Sequence, residues 1–437
     1  MKVQALNSAF DVKFSRLCSD KSISHRTAIF SLLSKAQSHI TNYLEAQDCL
    51  NTIEAIKALG ADVKRIKEGE YLITPPAKIS SPNKVLECGN SGTAMRLFMG
   101  LLAGVKDEFF VLSGDKYLNE RPMKRVASPL ASVGAKFYGR DNANKAPIAI
   151  CGQELGYFSY DSPIASAQVK TALILAALQN KGCKLSESEL SRDHSERMLK
   201  AMGADISQNI AANGVHTISL NALTKPLNPL NIDVPNDPSS CFFFAVAAAI
   251  MPNSKVRFEN ILLNPTRIEA FKVLEKMGAI ISYEKSSNEY DDIGAITVSS
   301  PKDGLKAINV SERISWLIDE APALSIAFAC AQGKSVLKNA KELRVKECDR
   351  IAVTVNALKA CGIDASELED GFEIIGDPNG TKLKNAVIDS HGDHRIAMSF
   401  AVLGLKCGME IRGAEYIATS FPTFSKHLAS LGVQVQD

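Results

Sequence analysis

One octapeptide pattern recurs six times along the chain, and no other feature limits the fold as strongly. The copies are IKALGADV around Gly60, LASVGAKF around Gly134, LKAMGADI around Gly203, LEKMGAII around Gly278, LKACGIDA around Gly362 and LASLGVQV around Gly432. Each reads as the tail of an amphipathic helix, then a glycine where the helix end needs a left-handed residue, then an apolar alternation that opens a strand. A single copy is a common helix-to-strand turn. Six copies about 70 to 85 residues apart mark a repeated architecture.

A second kind of helix precedes each copy, apolar or small on nearly every face, with polar residues gathered at its start. These stretches are KSISHRTAIFSLL from Lys21, NSGTAMRLFMGLLAG from Asn90, SAQVKTALILAAL from Ser166, DPSSCFFFAVAAAIM from Asp237, DEAPALSIAFACA from Asp319 and DHRIAMSFAVLGL from Asp393. A helix without a polar face has to be buried. Short β-branched runs such as YLITPP, EFFVLSG, HTISLNA, AITVSS and FEIIGD lie between the helices. The repeating unit is therefore strand, buried helix, strand, amphipathic helix and two strands. Three units take about 210 residues, so 437 residues make two domains of three units each. The strand AFDVKFS and the proline-rich LNIDVPNDP are the expected crossings, which puts 1–14 with 234–437 in one domain and 15–233 in the other.

A net charge of +2 excludes a broad nucleic-acid surface but permits a local cationic pocket. Ten cysteines without a CxxC pair indicate neither a zinc ribbon nor a disulfide framework, and fit a reducing cytoplasm. The start, MKVQALNSAFDV, lacks the apolar core of a signal peptide. The strongest apolar run, Cys241 to Met251, falls far short of the roughly 20 residues that span a bilayer.

The starts of the buried helices carry different side chains, which points to a site. In ECGNSGTAMR, the first backbone N–H groups of the helix have no acceptor within it and favour an anion, and Gly92 leaves room for one. Asn90 or Ser91 serving as a plain cap is the simpler alternative. Lys21, Ser22 and Arg26 open the first helix, and both cations can reach an oxyanion at its mouth. Arg121, before Pro122, is held extended. Ser166 and Gln168 suit a polyol ring, although capping alone also accounts for Ser166.

Asp319 and Glu320 read either as helix-start carboxylates or as a general base beside an alcohol. The spacing in RVKECDR predicts Lys346 and Arg350 one helical turn apart, with Glu347 beside Lys346 and Asp349 beside Arg350. In SHGDHR, His394 reads as the cap and Arg395 as an anion ligand; no metal is expected, because no third ligand cluster accompanies His391, Asp393 and His394. Lys21, Arg26, Arg96, Arg121, Lys346, Arg350 and Arg395 together call for substrates bearing several negative charges. Helix ends of two domains facing one cleft are expected to close on such substrates.

The motifs DKSISHR, GNSGTAMR, NERPM, ASAQVK, SRDH, DVPNDPSS, IDEAP, LRVKECDR, DHRIAMSF and ATSFPTF, in this order over essentially the whole chain, resemble the 5-enolpyruvylshikimate-3-phosphate synthase (3-phosphoshikimate 1-carboxyvinyltransferase) family. ASAQVK, SRDH and DVPNDPSS look like the second of its two bacterial classes. The resemblance implies an α/β fold of two domains, each of three βαβαββ units with buried parallel helices in an inside-out α/β barrel, and a cleft between them. It also implies transfer of the enolpyruvyl group of phosphoenolpyruvate to the 5-hydroxyl of shikimate 3-phosphate, with release of phosphate, on the way to chorismate and the aromatic amino acids.

Carried over residue by residue, Lys21, Ser22, Arg26, Ser166, Ala167, Gln168, Arg192, Asp319 and Lys346 hold shikimate 3-phosphate. Lys21, Gly92, Arg121, Gln168, Arg350 and Arg395 hold phosphoenolpyruvate. Asp319 accepts the hydroxyl proton, and Glu347, with Lys21 nearby, protonates the methylene carbon. The resemblance implies no cofactor, no metal, no nucleic acid and no membrane, and a cytoplasmic monomer whose phosphoenolpyruvate site is the target of glyphosate. Tolerant members of the class carry alanine at the place of Gly92, so this chain is expected to be sensitive.

Three positions depart from the wider family. Ala167 stands where many members have serine, Thr419 where many have a phosphate-binding lysine, and Arg192 where the other class has tyrosine. The nearest rival, the related UDP-N-acetylglucosamine enolpyruvyl transferase family, typically carries a reactive cysteine where this chain has Lys116. A repeat-built anion-binding scaffold without turnover is the rival of another kind.

Overall fold

The computed structural model describes residues 1–288 and 290–436. The chain divides into two compact units: a mid-chain unit of Lys21–Val234 with 290–291, and a terminal unit of Met1–Asp20, Pro235–Asn288 and 292–436. The chain thus changes units after Asp20 and after Val234, against expected changes after residues 14 and 233. Asn236 is the reason residues 15–20 stay with the terminal unit. Its Oδ1 accepts from the Leu17 N–H at 3.0 Å, its Nδ2 donates to the Ser15 carbonyl at 3.0 Å, and its backbone bridges Ser19. The Asp20 N–H donates to the Pro235 carbonyl at 2.8 Å, so the two crossing strands run side by side.

The six buried helices form at Lys21–Ser31, Gly92–Ala103, Ala167–Leu178, Pro238–Ile250, Ala321–Ala329 and His394–Cys407. In Pro238–Ile250 all positions are buried. Each helix belongs to a four-stranded sheet of one invariant pattern, a parallel pair to which two antiparallel strands are added. In the mid-chain unit the second sheet runs Leu86–Glu87, Phe109–Ser113, Lys145–Cys151, Lys136–Gly139, and the third Phe158–Ser162, Cys183–Glu187, His216–Leu220, Ile206–Ile210.

The first sheet takes its parallel edge from Asn231–Asp233, which returns from the far end of the unit to pair with Ser38–Thr41. In the terminal unit Asp11–Phe14 plays the same part beside Lys255–Leu262. Lys2–Val3 supplies the third strand of the last sheet, between Met409–Arg412 and Val435–Gln436. Both units thus close with strands from distant parts of the chain.

All six signature glycines are left-handed, with φ between +85° and +110°, as the helix-to-strand turn requires. Within the mid-chain unit, the Gly92–Ala103 and Ala167–Leu178 helices touch backbone to backbone. A Cβ at Gly100 would lie 2.1 Å from the Ala172 carbonyl oxygen. In the terminal unit the helices Pro238–Ile250, Ala321–Ala329 and His394–Cys407 pack on one another. Phe244 meets Phe14 edge-on at 5.2 Å and Phe424 at 5.8 Å, which fastens the Pro238–Ile250 helix to both termini of the chain.

Two of the signature glycines separate strain from collision. At Gly134 an added Cβ meets nothing within 4 Å, whereas at Gly362 it falls 2.3 Å from the Lys382 carbonyl oxygen. Gly134→Ala is expected to cost about 1–2 kcal/mol, the left-handed penalty alone, and Gly362→Ala distinctly more. Urea unfolding with an unchanged slope measures both, and equal midpoints would disprove the distinction.

Candidate active site

In the mid-chain unit the chemistry gathers at three helix starts. Ser91 is the cap of Gly92–Ala103, its hydroxyl accepting from the Ala94 N–H at 3.1 Å. The N–H groups of the first helical residues have no acceptor inside the helix. Two guanidinium groups stand over Gly92, since a Cβ there would lie 2.9 Å from Arg121 Cζ and from Arg96 Nη1. Arg121 takes the expected extended conformation (φ −75°, ψ 147°), and its Nη1 donates to the Asn90 carbonyl at 3.4 Å. Arg96 donates to Gln168 Oε1 at 2.5 Å and to the Pro122 carbonyl at 2.9 Å, and Gln168 in turn donates to Thr93 Oγ1 at 2.9 Å. The close approach of the two helices at Gly100 and Ala172 makes this link short enough to form.

Lys21 opens its helix with Nζ 2.5 Å from the buried Asp48 carboxylate. Asp48 also accepts from the Asn90 N–H at 3.2 Å, so one carboxylate ties Lys21 to the turn before Gly92. His25 is buried between Thr52 Oγ1, 2.8 Å from Nδ1, and Ser91 Oγ, 3.0 Å from Nε2. Burial, with Lys21 and Arg26 close by, holds its pKa well below the ordinary histidine value. Ser22, next to Lys21, is half-buried. Arg26 is buried: Nε donates to Ser195 Oγ at 2.8 Å, Nη1 to the Ser22 carbonyl at 3.0 Å and Nη2 to Thr171 Oγ1 at 3.2 Å.

Ser166 precedes Ala167–Leu178 in the cap position, yet its side chain accepts no capping hydrogen bond. Capping therefore does not account for Ser166. Ala167 and Gln168 follow, both half-buried like Ser166. Lys170, one turn in, is no anion ligand. It is buried 2.8 Å from both Glu187 and Glu196 and also reaches the Ser191 carbonyl at 3.3 Å. Ser191 is fastened to Glu187 through its N–H at 3.0 Å and hydroxyl at 2.8 Å. Arg192, half-buried, follows directly.

In the terminal unit a second cluster surrounds Arg350, which is fully buried. Its Nε donates to Asp393 Oδ2 at 2.7 Å, its Nη2 to Glu347 Oε2 at 2.6 Å and its Nη1 to Asp319 Oδ1 at 3.4 Å. Burial alone would lower its pKa, but Asp393, Glu347 and Asp319 outweigh burial and raise it. Lys346 Nζ lies 3.4 Å from the same Asp319 oxygen, and Arg395 donates to the Asp319 carbonyl at 2.9 Å. One guanidinium therefore holds Asp319 and Glu347 together, with two more cations around Asp319.

The structure corrects the sequence reading at three places. Lys346 and Arg350 do not share a helical face. Lys346 closes the 3-10 turn Lys341–Val345 in an extended conformation, and the helix starts at Arg350 because Asp349 caps it, accepting from the Ile351 and Ala352 N–H groups at 3.1 Å. The cap of His394–Cys407 is Asp393, not His394, for its carboxylate accepts from the Arg395 N–H at 2.8 Å. Neither Asp319 nor Glu320 caps Ala321–Ala329: that helix starts after both, and Glu320 makes no side-chain cap bond.

Sequence reasoning missed the partners that hold the cations. Asp48 reads as an ordinary acid in the first turn of the helix Gln47–Ala58. Buried Arg267, unremarked in PTRIE, pairs with Asp20 at 2.7 Å and Asp237 at 2.5 Å, joining the residues at both unit crossings. It also donates to Ser239 Oγ at 3.0 Å, and that hydroxyl donates to Glu320. No local pattern announces either pairing, because the partners lie 27 or more residues apart and in different elements.

The sequence model of the EPSP synthase (3-phosphoshikimate 1-carboxyvinyltransferase) family matches residues 12–428 of this chain. The chain is 66% identical to the 3-phosphoshikimate 1-carboxyvinyltransferase of Campylobacter fetus subsp. fetus and 62% identical to that of Campylobacter curvus, in both cases over 100% of each chain. Among solved structures, EPSP synthase from Acinetobacter baumannii superposes with a TM-score of 0.84 at 39% identity, covering 100% of this chain and 99% of that one.

The buried charges of the mid-chain unit set a pH dependence. Burial alone would raise the Glu187 carboxyl, but a hydrogen bond from His216 and the charge and hydrogen bond of Lys170 pull it from 4.5 down to about 2. A lowered folded pKa contributes stability above the unfolded value, which is lost as pH falls through the folded one. Unfolding free energy is thus expected to drop between pH 4.5 and about 2, and Glu187→Gln to flatten that slope. Urea titrations across this range check it, and an equal slope in the variant would count against the assignment.

Proposed function

The chain belongs to the EPSP synthase family, and from that premise we propose how its residues divide the work of enolpyruvyl transfer. The reaction joins the 5-hydroxyl oxygen of shikimate 3-phosphate to C2 of phosphoenolpyruvate and releases inorganic phosphate, a step of aromatic amino acid biosynthesis towards chorismate. The mid-chain unit supplies most of the groups for shikimate 3-phosphate: Lys21, Ser22, Arg26, Ser166, Ala167, Gln168 and Arg192, with Asp319 and Lys346 added from the terminal unit. Lys21, Gly92, Arg121 and Gln168 hold phosphoenolpyruvate together with Arg350 and Arg395.

Asp319 takes the proton of the 5-hydroxyl as its oxygen attacks C2, while Glu347, with Lys21, delivers a proton to C3. The product of this addition is a tetrahedral ketal that keeps the phosphate. In the second step the C–O bond to phosphate breaks, a proton leaves the new methyl group and the C2–C3 double bond re-forms. Lysine and arginine side chains, with the N–H groups at the Gly92 helix start, stabilise the carboxylate and phosphate charges. The reading takes the chain as a cytoplasmic monomer that needs no metal or cofactor.

One observation carries this assignment. Asp319 and Glu347, the two carboxylates that chemistry of this kind needs as base and acid, are both bound to the single guanidinium of Arg350, at 3.4 Å and 2.6 Å. The rival UDP-N-acetylglucosamine activity lacks its cysteine here. Lys116 fills that place, with its ammonium 4.9 Å from the centre of the Tyr117 ring. At the position of the missing phosphate-binding lysine, Thr419 donates its hydroxyl to the Tyr416 carbonyl at 2.7 Å.

Phosphate release from phosphoenolpyruvate is expected only when shikimate 3-phosphate is present, and to fall by more than about a hundredfold in Asp319→Asn. Release without the acceptor, or a fosfomycin adduct on the protein, would overturn the reading. Glyphosate is expected to inhibit competitively with phosphoenolpyruvate. In Gly92→Ala the new methyl, 2.9 Å from the Arg121 and Arg96 guanidinium groups, displaces both and raises the inhibitory concentration, and an unchanged inhibition curve would refute this.

A further inference from the structure

Three buried side chains connect the Lys21–Ser31 helix to the start of Gly92–Ala103. Thr52 Oγ1 donates its one proton to the Asp48 carbonyl at 3.2 Å. His25 Nδ1, 2.8 Å from that same oxygen, is then the donor in their contact. A neutral imidazole with its hydrogen on Nδ1 presents a lone pair at Nε2. Ser91 Oγ, 3.0 Å from Nε2, donates there and keeps its lone pairs for the Ala94 N–H at 3.1 Å. In this arrangement every donor has an acceptor. The buried surroundings, with Lys21 and Arg26 adding to the effect, disfavour a second proton on the ring.

We propose that His25 is a positioning residue for phosphoenolpyruvate: by accepting the Ser91 proton it locks that hydroxyl into the cap, so that the N–H groups of Gly92 and Thr93, and no hydroxyl, meet the anion. The proposal rests on the reading that the Gly92 helix start receives phosphoenolpyruvate. Without the ring, the Ser91 hydroxyl rotates freely and competes for the bound anion or abandons the Ala94 N–H. The same relay steadies Thr52 on the Asp48 carbonyl, and Asp48 holds Lys21.

Two substitutions divide the ring between its nitrogens. In His25→Asn the amide occupies the place of Nδ1 and keeps Thr52 but loses Ser91, whereas in His25→Gln the amide reaches the place of Nε2 and keeps Ser91. His25→Asn is expected to raise KM for phosphoenolpyruvate about five- to tenfold, the worth of a helix cap, with KM for shikimate 3-phosphate within about twofold of wild type. His25→Gln restores most of the loss. Ser91→Ala added to His25→Asn costs nothing further, because both break one link.

Equal defects in the two variants, or a parallel rise in both KM values, would reduce His25 to a packing role. Nitrogen NMR of the intact wild-type protein gives a second measure that needs no variant. A protonated Nδ1 and a bare Nε2 from about pH 8 to about pH 6 are expected, and the opposite tautomer overturns the proposal. If Gly92→Ala leaves KM for phosphoenolpyruvate unchanged, the underlying reading of the helix start fails. If that variant raises it while His25→Asn does not, only the role of His25 fails.

Discussion

The N–H groups in the first turn of a buried helix have no acceptor inside it, and much of this structure is arranged around that need. Each capped buried helix meets it with a residue that also does something else. Ser91 caps Gly92–Ala103 and touches His25; Asp237 caps Pro238–Ile250 and binds Arg267; Asp393 caps His394–Cys407 and binds Arg350. Polar side chains are thereby drawn into the interior at the points where the backbone already carries partial positive charge. A fold made of six such helices assembles its chemistry at their starts.

The cations at those starts come with counter-ions of their own. Lys21 lies on Asp48, and Arg350 on Asp393, Glu347 and Asp319. A buried charge left without a partner would cost several kcal/mol, so the three carboxylates are what permits Arg350 to be buried. In the Arg350 cluster two of the three carboxylates, Asp319 and Glu347, are the ones proposed for proton transfer.

Much of this was legible along the chain, and the illegible part has a physical cause. The six glycines, the buried helices and the strands follow from local patterns, because turn conformation and burial period are local properties. The helix starts were placed correctly to within a residue or two, but RVKECDR read as one helix, since its spacing hid the cap at Asp349. Lys170, just inside the third buried helix, is a buried partner of Glu187 and Glu196, a pairing that no spacing along the chain announces. Arg26 and Arg350 read as cations for a ligand, and in the structure both spend most of their donors on the protein.

The sequence by itself determined the repeat, the number of units, the places where polar groups enter the interior and the family to which the chain is akin, because all of these are written in short-range spacing and in residue identity. Only the tertiary structure decided which carboxylate holds which cation. Asp48 with Lys21, Glu347 and Asp393 with Arg350, and Asp20 and Asp237 with Arg267 are pairs whose strength depends on distance in space and on the loss of water around them. Most of these partners lie in different elements, and no rule of spacing joins them until the helices have packed.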